Sequence, residues 1–167
     1  MANTFELIYS ATVGSGGAAD ITFSSIPSTY TDLCIKVSAR GSYSGGTIAF
    51  RLNPNGSTAN MTSRVLYGDG SSAASFTDTI AYGNIPGSTA TSNTFGNLEF
   101  YIPNYTSSNA KSISCDGVTE NNATAALALF SASLWNSSSA ISSIVLMPTA
   151  GTILQYSTAY LYGVKNA

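Results

Sequence analysis

The fold is decided by one stretch in the first third of the chain, Leu33-Cys34-Ile35-Lys36-Val37-Ser38-Ala39-Arg40. Apolar residues occupy every second position, and Lys36, Ser38 and Arg40 lie between them. A period of two is typical of a strand with one face on a core and the other in solvent. The stretch therefore predicts a half-buried β-strand.

The same alternation recurs along the chain, so the prediction extends to the whole fold. It is clear in residues 5–10, 48–53, 98–103, 112–116 and 154–163, and shorter strands are predicted at 21–26, 61–67, 76–82, 127–135 and 141–147. Clusters of Gly, Pro, Asn and Ser separate these segments, which is typical of a sandwich or barrel. We predict an all-β fold, an antiparallel, jelly-roll-like β-sandwich of about ten strands.

Two local features qualify this prediction. Residues 123–134 are rich in Ala and Leu and could form three helical turns, but they lack an opposite polar face, and Thr and Ser lower their helix propensity. We interpret them as a buried strand. The pair Asn55-Gly56 predicts a hairpin turn, because both residues tolerate positive φ. No linker or repeat interrupts the pattern, so we expect one domain over residues 1–167, with terminal segments available for assembly.

Ionisable residues are scarce. The 167 residues include 6 Lys+Arg, 8 Asp+Glu and no His, and 8% are charged, against about 25% in an average domain. The net charge of −2 and the scattered basic residues argue against a nucleic-acid surface. No apolar run approaches the ~20 residues of a membrane helix, and Met1–Glu6 lacks signal-peptide features. We expect a protein made in a cytosol, without membrane or nucleic-acid partners.

Few residues could carry chemistry. Cys34 and Cys115 lack further Cys or His ligands for a metal; we interpret them as small strand residues and leave open whether they pair. The acidic pairs that could bind Ca²⁺ or hydrolyse a glycoside match no ordered motif. They are Asp69 with Asp78, Asp116 with Glu120, and Glu99 with Glu120. We predict no catalytic residue, metal or cofactor.

Tyrosine is the more informative residue type. The chain has 10 Tyr beside 1 Trp, and Tyr combines a large contact area with a hydrogen-bonding tip. Many of these rings can simply fill a half-buried pleat. The candidates for an interface or ligand contact are Tyr43, Tyr101, Tyr105, Trp135, Tyr156, Tyr160 and Tyr162.

Several longer segments resemble a family of small virion proteins from tailed bacteriophages. The similarity involves residues 23–33 (FSSIPSTYTDL), 37–40 (VSAR), 95–105 (FGNLEFYIPNY), 120–122 (ENN), 134–135 (LW) and 156–167 (YSTAYLYGVKNA). It covers nearly the whole chain but contains no catalytic motif. The resemblance implies a β-sandwich that cements a capsid or forms a surface fibre or tail adhesin.

Two functions follow as expectations. The first is a non-enzymatic virion structural protein, made in the host cytoplasm, that decorates the capsid as a homo-oligomer. We expect a trimer, whose subunits contact one another and other virion proteins such as the major capsid protein. In this interpretation the termini and the tyrosine-bearing faces contact neighbouring subunits, and the loops 41–46 and 68–75 face outward. The alternative is a tail-fibre or tail-tip module that binds host glycans.

Overall fold

The computed structural model describes residues 4–120 and 126–165, and in these residues it contains only β-strands, turns and loops. The strands are β1 Phe5–Thr12, β2 Ile21–Phe23, β3 Asp32–Ala39, β4 Thr47–Pro54, β5 Met61–Gly68, β6 Ala73–Asp78, β7 Ala81–Pro86, β8 Gly96–Ile102, β9 Lys111–Val118, β10 Ala128–Trp135, β11 Ile144–Pro148 and β12 Thr158–Val164. All pairings are antiparallel, in one sheet of eight strands and one of four. The predicted all-β sandwich is confirmed.

Eight of the strands form nested pairs. β1 pairs with β12, β2 with β11, β3 with β8 and β4 with β7. One long hairpin that is rolled into two sheets has nested pairing of this kind. This is the jelly-roll arrangement. One sheet then contains β1-β12-β3-β8, and the other contains β2-β11-β4-β7.

Four additional strands widen the first sheet. β5 and β6 are inserted between β4 and β7, and β9 and β10 between β8 and β11. Together they extend the larger sheet beyond β8 in the order β9-β10-β5-β6. We call these four strands the extension. Because the smaller sheet has only four strands, the two sheets are unequal in width.

The sequence interpretation is corrected at four places. The segment predicted as one strand over 76–82 is two strands, β6 and β7, in different sheets. The strand predicted at 141–147 begins at Ile144, and the last one begins only at Thr158. Asn55 and Gly56 have the expected positive φ, but they connect strands of different sheets and form no hairpin. The 127–135 strand is confirmed as β10, whereas residues 123–125 of the helix alternative lie outside the described residues.

A bulge in β1 reverses which residues face the core. Leu7 pairs with Tyr162 on the outer face of the sheet, but Tyr9 pairs with Leu161 on the inner face, and the register shifts between them. One extra residue in a strand exchanges the two faces, since side chains alternate with period two. Tyr9 consequently stacks on Phe23 of the other sheet, with ring centroids 5.8 Å apart.

The core lies between the two sheets. Alternate residues of β3 and β8, such as Ile35 and Phe100, pack against Phe50, Leu52 and Leu146 of the smaller sheet. Each of these five side chains is fully buried. Burying a large apolar side chain contributes about 1.5–3 kcal/mol, so this interior contributes strongly to the stability of the fold.

Serine hydroxyls join the sheets beside the extension. Ser131 donates to the carbonyl oxygen of Tyr82 at 2.6 Å, Ser63 donates to that of Ile80, and Ser133 Oγ lies 2.7 Å from Ser63 Oγ. Buried carbonyls need partners, and these hydroxyls supply them along the free side of β7.

Candidate interaction surface

The outer face of the larger sheet carries most of the exposed apolar surface. Among the described residues nine large hydrophobic side chains are exposed, and seven of them lie on this face. Scattered single exposures are normal, but a contiguous exposed patch marks an interaction site. The seven are Phe5, Leu7, Leu66, Val118, Phe130, Leu134 and Tyr160.

These seven side chains, together with the half-buried Tyr162, form two groups at opposite ends of the sheet. The first, the edge patch, consists of Phe5, Leu7, Tyr160 and Tyr162 on the paired strands β1 and β12. The second, the extension patch, consists of Leu66, Val118, Phe130 and Leu134, with the small side chains of Ala128 and Ala132 between them. Phe130 is directly opposite Leu66 in the β10–β5 pairing, so the two side chains cover one continuous area.

A row of charges separates the two patches. Lys36, Glu99 and Asp116 are neighbours across β3, β8 and β9. Two carboxylates directly opposite each other repel, and Lys36 offsets this by pairing with Glu99. The hydrogen bond to Glu99 raises the pKa of Lys36, although burial opposes the shift. The row therefore combines one positive and two negative charges in solvent.

Tyr101 lies on the same face but is engaged within the protein. Its hydroxyl donates to Asp32 Oδ2 at 2.6 Å. This hydrogen bond, followed by burial, raises the pKa of Tyr101 to about 12. Its register partner Cys34 is also flanked by Tyr162, and this outward-facing thiol is only 1% exposed.

Tyr43 and Tyr156 occupy loops instead of the sheet face. Tyr156 is 69% exposed and Tyr43 43% exposed. Their loops are bridged where Thr152 N donates to Ser42 Oγ at 2.9 Å. The loop predicted to face outward over 41–46 is thus tied to its neighbour, and its Gly41 is buried.

Two of the predicted contact aromatics are buried in the interior. Tyr105 is fully buried and donates to the carbonyl oxygen of Pro27. Trp135 is 3% exposed, and Lys111 Nζ lies 5.6 Å from its ring centroid. Neither ring offers the free surface that a partner needs, so both are corrected to core residues. Tyr43, Tyr101, Tyr156, Tyr160 and Tyr162 retain exposed area, and their role in contacts stays a prediction.

Lys111 is a buried cation without a carboxylate beside it in the described structure. Its Nζ donates to the carbonyl oxygens of Ser137 at 3.2 Å and Ser139 at 2.6 Å. Desolvation lowers the pKa of Lys111. The side chain holds the loop after β10 and does not reach the outer face.

The acidic pairs considered from the sequence are not brought together. Asp69 lies in the β5–β6 turn, where the amides and hydroxyls of Ser71 and Ser72 donate to it and lower its pKa to about 2. Asp78 lies at the other end of β6.

Glu99 likewise lies opposite Asp116 and not opposite Glu120. Glu120 follows Asp116 by four residues, which is about 13 Å at the residue spacing of a strand. In the described residues no three His, Cys, Asp or Glu side chains form a group able to hold a metal ion.

The two cysteines lie on opposite faces of the same sheet. Cys34 faces outward on β3, whereas Cys115 is opposite Phe100 and faces the core from β9. Both are free and buried. Since β8 and the thickness of the sheet separate them, they do not pair. Burial raises the pKa of both thiols, that of Cys34 to about 11.

Sequence reasoning missed the extension patch because β10 has an inverted pattern. Its inner face carries Ser131 and Ser133 between Leu129 and Trp135, whereas Phe130 and Leu134 face outward. The 127–135 stretch has apolar residues at both odd and even positions. This pattern fits a strand with two covered faces and could have predicted the extension patch.

No protein-family model matches the chain, and no curated protein matches it. The described residues include no helix long and apolar enough to cross a membrane.

Proposed function

We propose that this protein is a non-enzymatic structural component of a tailed-bacteriophage virion, which decorates the capsid as a homo-oligomer through the outer face of its larger sheet. The observation that carries the proposal is the concentration of exposed apolar side chains on that face. A monomer rarely leaves such an area uncovered. The lasting contact that would cover it is what a particle component needs.

Three further properties support this role. The surface is poor in charge, so contacts made through it depend little on ionic strength. The jelly-roll pairing occurs in viral capsid proteins, although also in lectins, and a fold alone does not determine function. The resemblance to phage virion proteins, which is an expectation from the sequence segments alone, is the reason for assigning the surface to a particle.

Electron cryo-microscopy of purified virions, combined with quantitative mass spectrometry of their proteins, tests the proposal. We expect many ordered copies on the head, with the larger sheet facing another protein. Absence of the protein from purified particles would overturn the proposal. Copies confined to the tail tip would favour the second function.

That second function is a tail-fibre or tail-tip adhesin, and the exposed rings of Tyr43 and Tyr156 favour it. They lie on hydrogen-bonded loops, and exposed aromatic rings can stack on sugars. A glycan array with the purified protein and with the Tyr43→Ala/Tyr156→Ala variant separates the two roles. Specific binding that the variant loses supports the adhesin, and an array without signal supports decoration.

A further inference from the structure

We propose that the extension patch is a self-association surface, on which two copies of this chain pack face to face about a two-fold axis. The pairing rests on the proposed assembly role and identifies the first partner as a second copy of the same chain, in a dimer that replaces the trimer expected from the sequence. The axis runs along the strands between β10 and β5. Phe130 of one copy then lies over Leu66 of the other, and the reverse contact is identical, as an isologous interface requires.

The order of residues across the sheet selects this axis. The row that contains Phe130 reads Lys36, Glu99, Asp116, Phe130, Leu66 from β3 to β5. An axis near β8 or β9 would place carboxylates against carboxylates or against apolar rings. Between β10 and β5 the apolar side chains meet each other, and Asp116 lies over the β6 strand of the other copy.

The size of the extension fits a dimer. Its longest strands have eight residues, so four strands cover about 19 Å by 26 Å at 4.8 Å between strands and 3.3 Å per residue. Two copies would together bury about 1,000 Å², near the lower bound for a specific interface. Including β8 and β3 in the contact would add area but would bury the charged row.

The charges of the extension favour a copy of itself over a strongly charged partner. The outer face of these four strands carries one positive side chain, Arg64, and one negative side chain, Asp116. The extension face of a second copy therefore brings no net charge to the contact. It also brings Asp116 toward the end of the contact where Arg64 of the first copy lies, so the unlike charges border the apolar centre.

The edge patch supplies a matched control. Phe5 is 52% exposed and Leu7 53%, against 53% for Phe130 and 56% for Leu66. The Leu66→Ser/Phe130→Ser and Phe5→Ser/Leu7→Ser variants therefore remove the same side-chain types at equal exposure from the same face. Sedimentation equilibrium of both variants and the wild-type protein measures the monomer–dimer constant.

We expect a wild-type dimer, a dissociation constant at least about tenfold weaker in Leu66→Ser/Phe130→Ser, and a change of less than about threefold in the edge-patch variant. The pairing is overturned by a wild-type monomer at about 100 µM, by a trimer, or by equal effects of the two variants.

Cross-linking decides the geometry even where the Leu66→Ser/Phe130→Ser variant fails to fold. A mixture of the single variants Leu66→Cys and Phe130→Cys is treated with a short bismaleimide, and mass spectrometry identifies the linked peptides. The native thiols of Cys34 and Cys115 are buried and react slowly.

We expect links between positions 66 and 130 of different copies. A mixture of Leu7→Cys with Phe130→Cys should give no links between positions 7 and 130. Equal amounts of 7–130 and 66–130 links in the two mixtures would contradict the axis. A protein that pairs in solution but is absent from virions overturns the proposed function alone. A protein that is monomeric but present on particles overturns the pairing alone.

Discussion

Arg40 shows how a single charged side chain organises a loop. It is 7% exposed, and its guanidinium nitrogens donate to five oxygens of residues 88–94, four of them backbone carbonyls. A planar fork of five N–H donors can satisfy more carbonyls at once than the three donors of an ammonium group. The alternation in the sequence predicted that Arg40 faces solvent. In the structure the loop of residues 88–94 folds over its side chain and buries it.

Replacing Arg40 should therefore destabilise the protein strongly. Arg40→Ala leaves buried carbonyls without donors, and we expect the free energy of unfolding to fall by about 3 kcal/mol. Arg40→Lys should recover less than half of that loss. The control Arg64→Ala removes an exposed guanidinium and should change stability by less than about 0.5 kcal/mol. Urea denaturation measures all three, and equal effects of the two alanine variants would refute the interpretation.

Cys34 should make stability depend on alkaline pH. Its pKa is raised to about 11 by burial and secondarily by Glu99, from the ordinary thiol value of 9.0. Above pH 9 the unfolded chain loses this proton while the folded chain retains it, so stability is fully present below pH 9 and falls as the pH rises toward 11. Two pKa units correspond to about 2–3 kcal/mol.

The comparison with Cys34→Ala isolates this contribution. The variant should start with lower stability at pH 7 because of the small cavity, but it should lose about 2 kcal/mol less than wild type between pH 9 and 11. Urea unfolding at fixed pH values supplies both curves. Parallel curves would show that Cys34 does not titrate in this window.

At the scale of the elements, close contacts between connecting loops determine how the strands are joined. Gly87, after β7, donates to the carbonyl oxygen of Gly46 at 3.0 Å. A Cβ at position 87 would lie 2.2 Å from the carbonyl oxygen of Gly45 and 2.8 Å from that of Tyr43. Backbone atoms cannot rotate away as a flexible side chain can, so this approach requires glycine.

We expect Gly87→Ala to reduce the free energy of unfolding by about 2–3 kcal/mol. Gly16→Ala is the control, since a Cβ there has no neighbour within 4 Å. That variant should be neutral or slightly stabilising, because alanine restricts the unfolded chain. Thermal unfolding followed by circular dichroism distinguishes them, and a Gly87→Ala variant as stable as Gly16→Ala would contradict the packing argument.

At the scale of the whole molecule, the insertions between jelly-roll strands create the surface that we propose for association. The extension adds four strands to one sheet alone. Its inner face is joined by serines to β7 and to Ile80 just before it, and its outer face carries Leu66 and Phe130. The apolar side chains that a core would normally cover are thus presented outward.

Self-association through this surface should depend weakly on salt. The contact is apolar with one charge of each sign per copy, so screening removes little energy. Between about 0.05 M and 0.5 M NaCl we expect the dimer dissociation constant to change by less than about threefold, and sulfate should strengthen the dimer. Sedimentation equilibrium across this range is the measurement, and dissociation of the dimer by NaCl would indicate an ionic interface.

The sequence by itself determined the strand class and most strand positions. Period-two alternation is a local property, and Leu33, Ile35 and Val37 share a face in any antiparallel sheet that contains them. The scarcity of charge follows from composition alone and needs no knowledge of which residues are neighbours in space. For this reason the all-β sandwich could be predicted.

Only the tertiary structure decided which face each strand presents to the core. Alternation groups residues by face but does not say what covers them, so β10 could hide Ser131 and expose Phe130. Strand order depends on pairings between residues distant in sequence, and these place Leu66 beside Phe130 and separate Cys34 from Cys115. The candidate surface is a product of that order, because neighbours across a sheet are not neighbours along the chain.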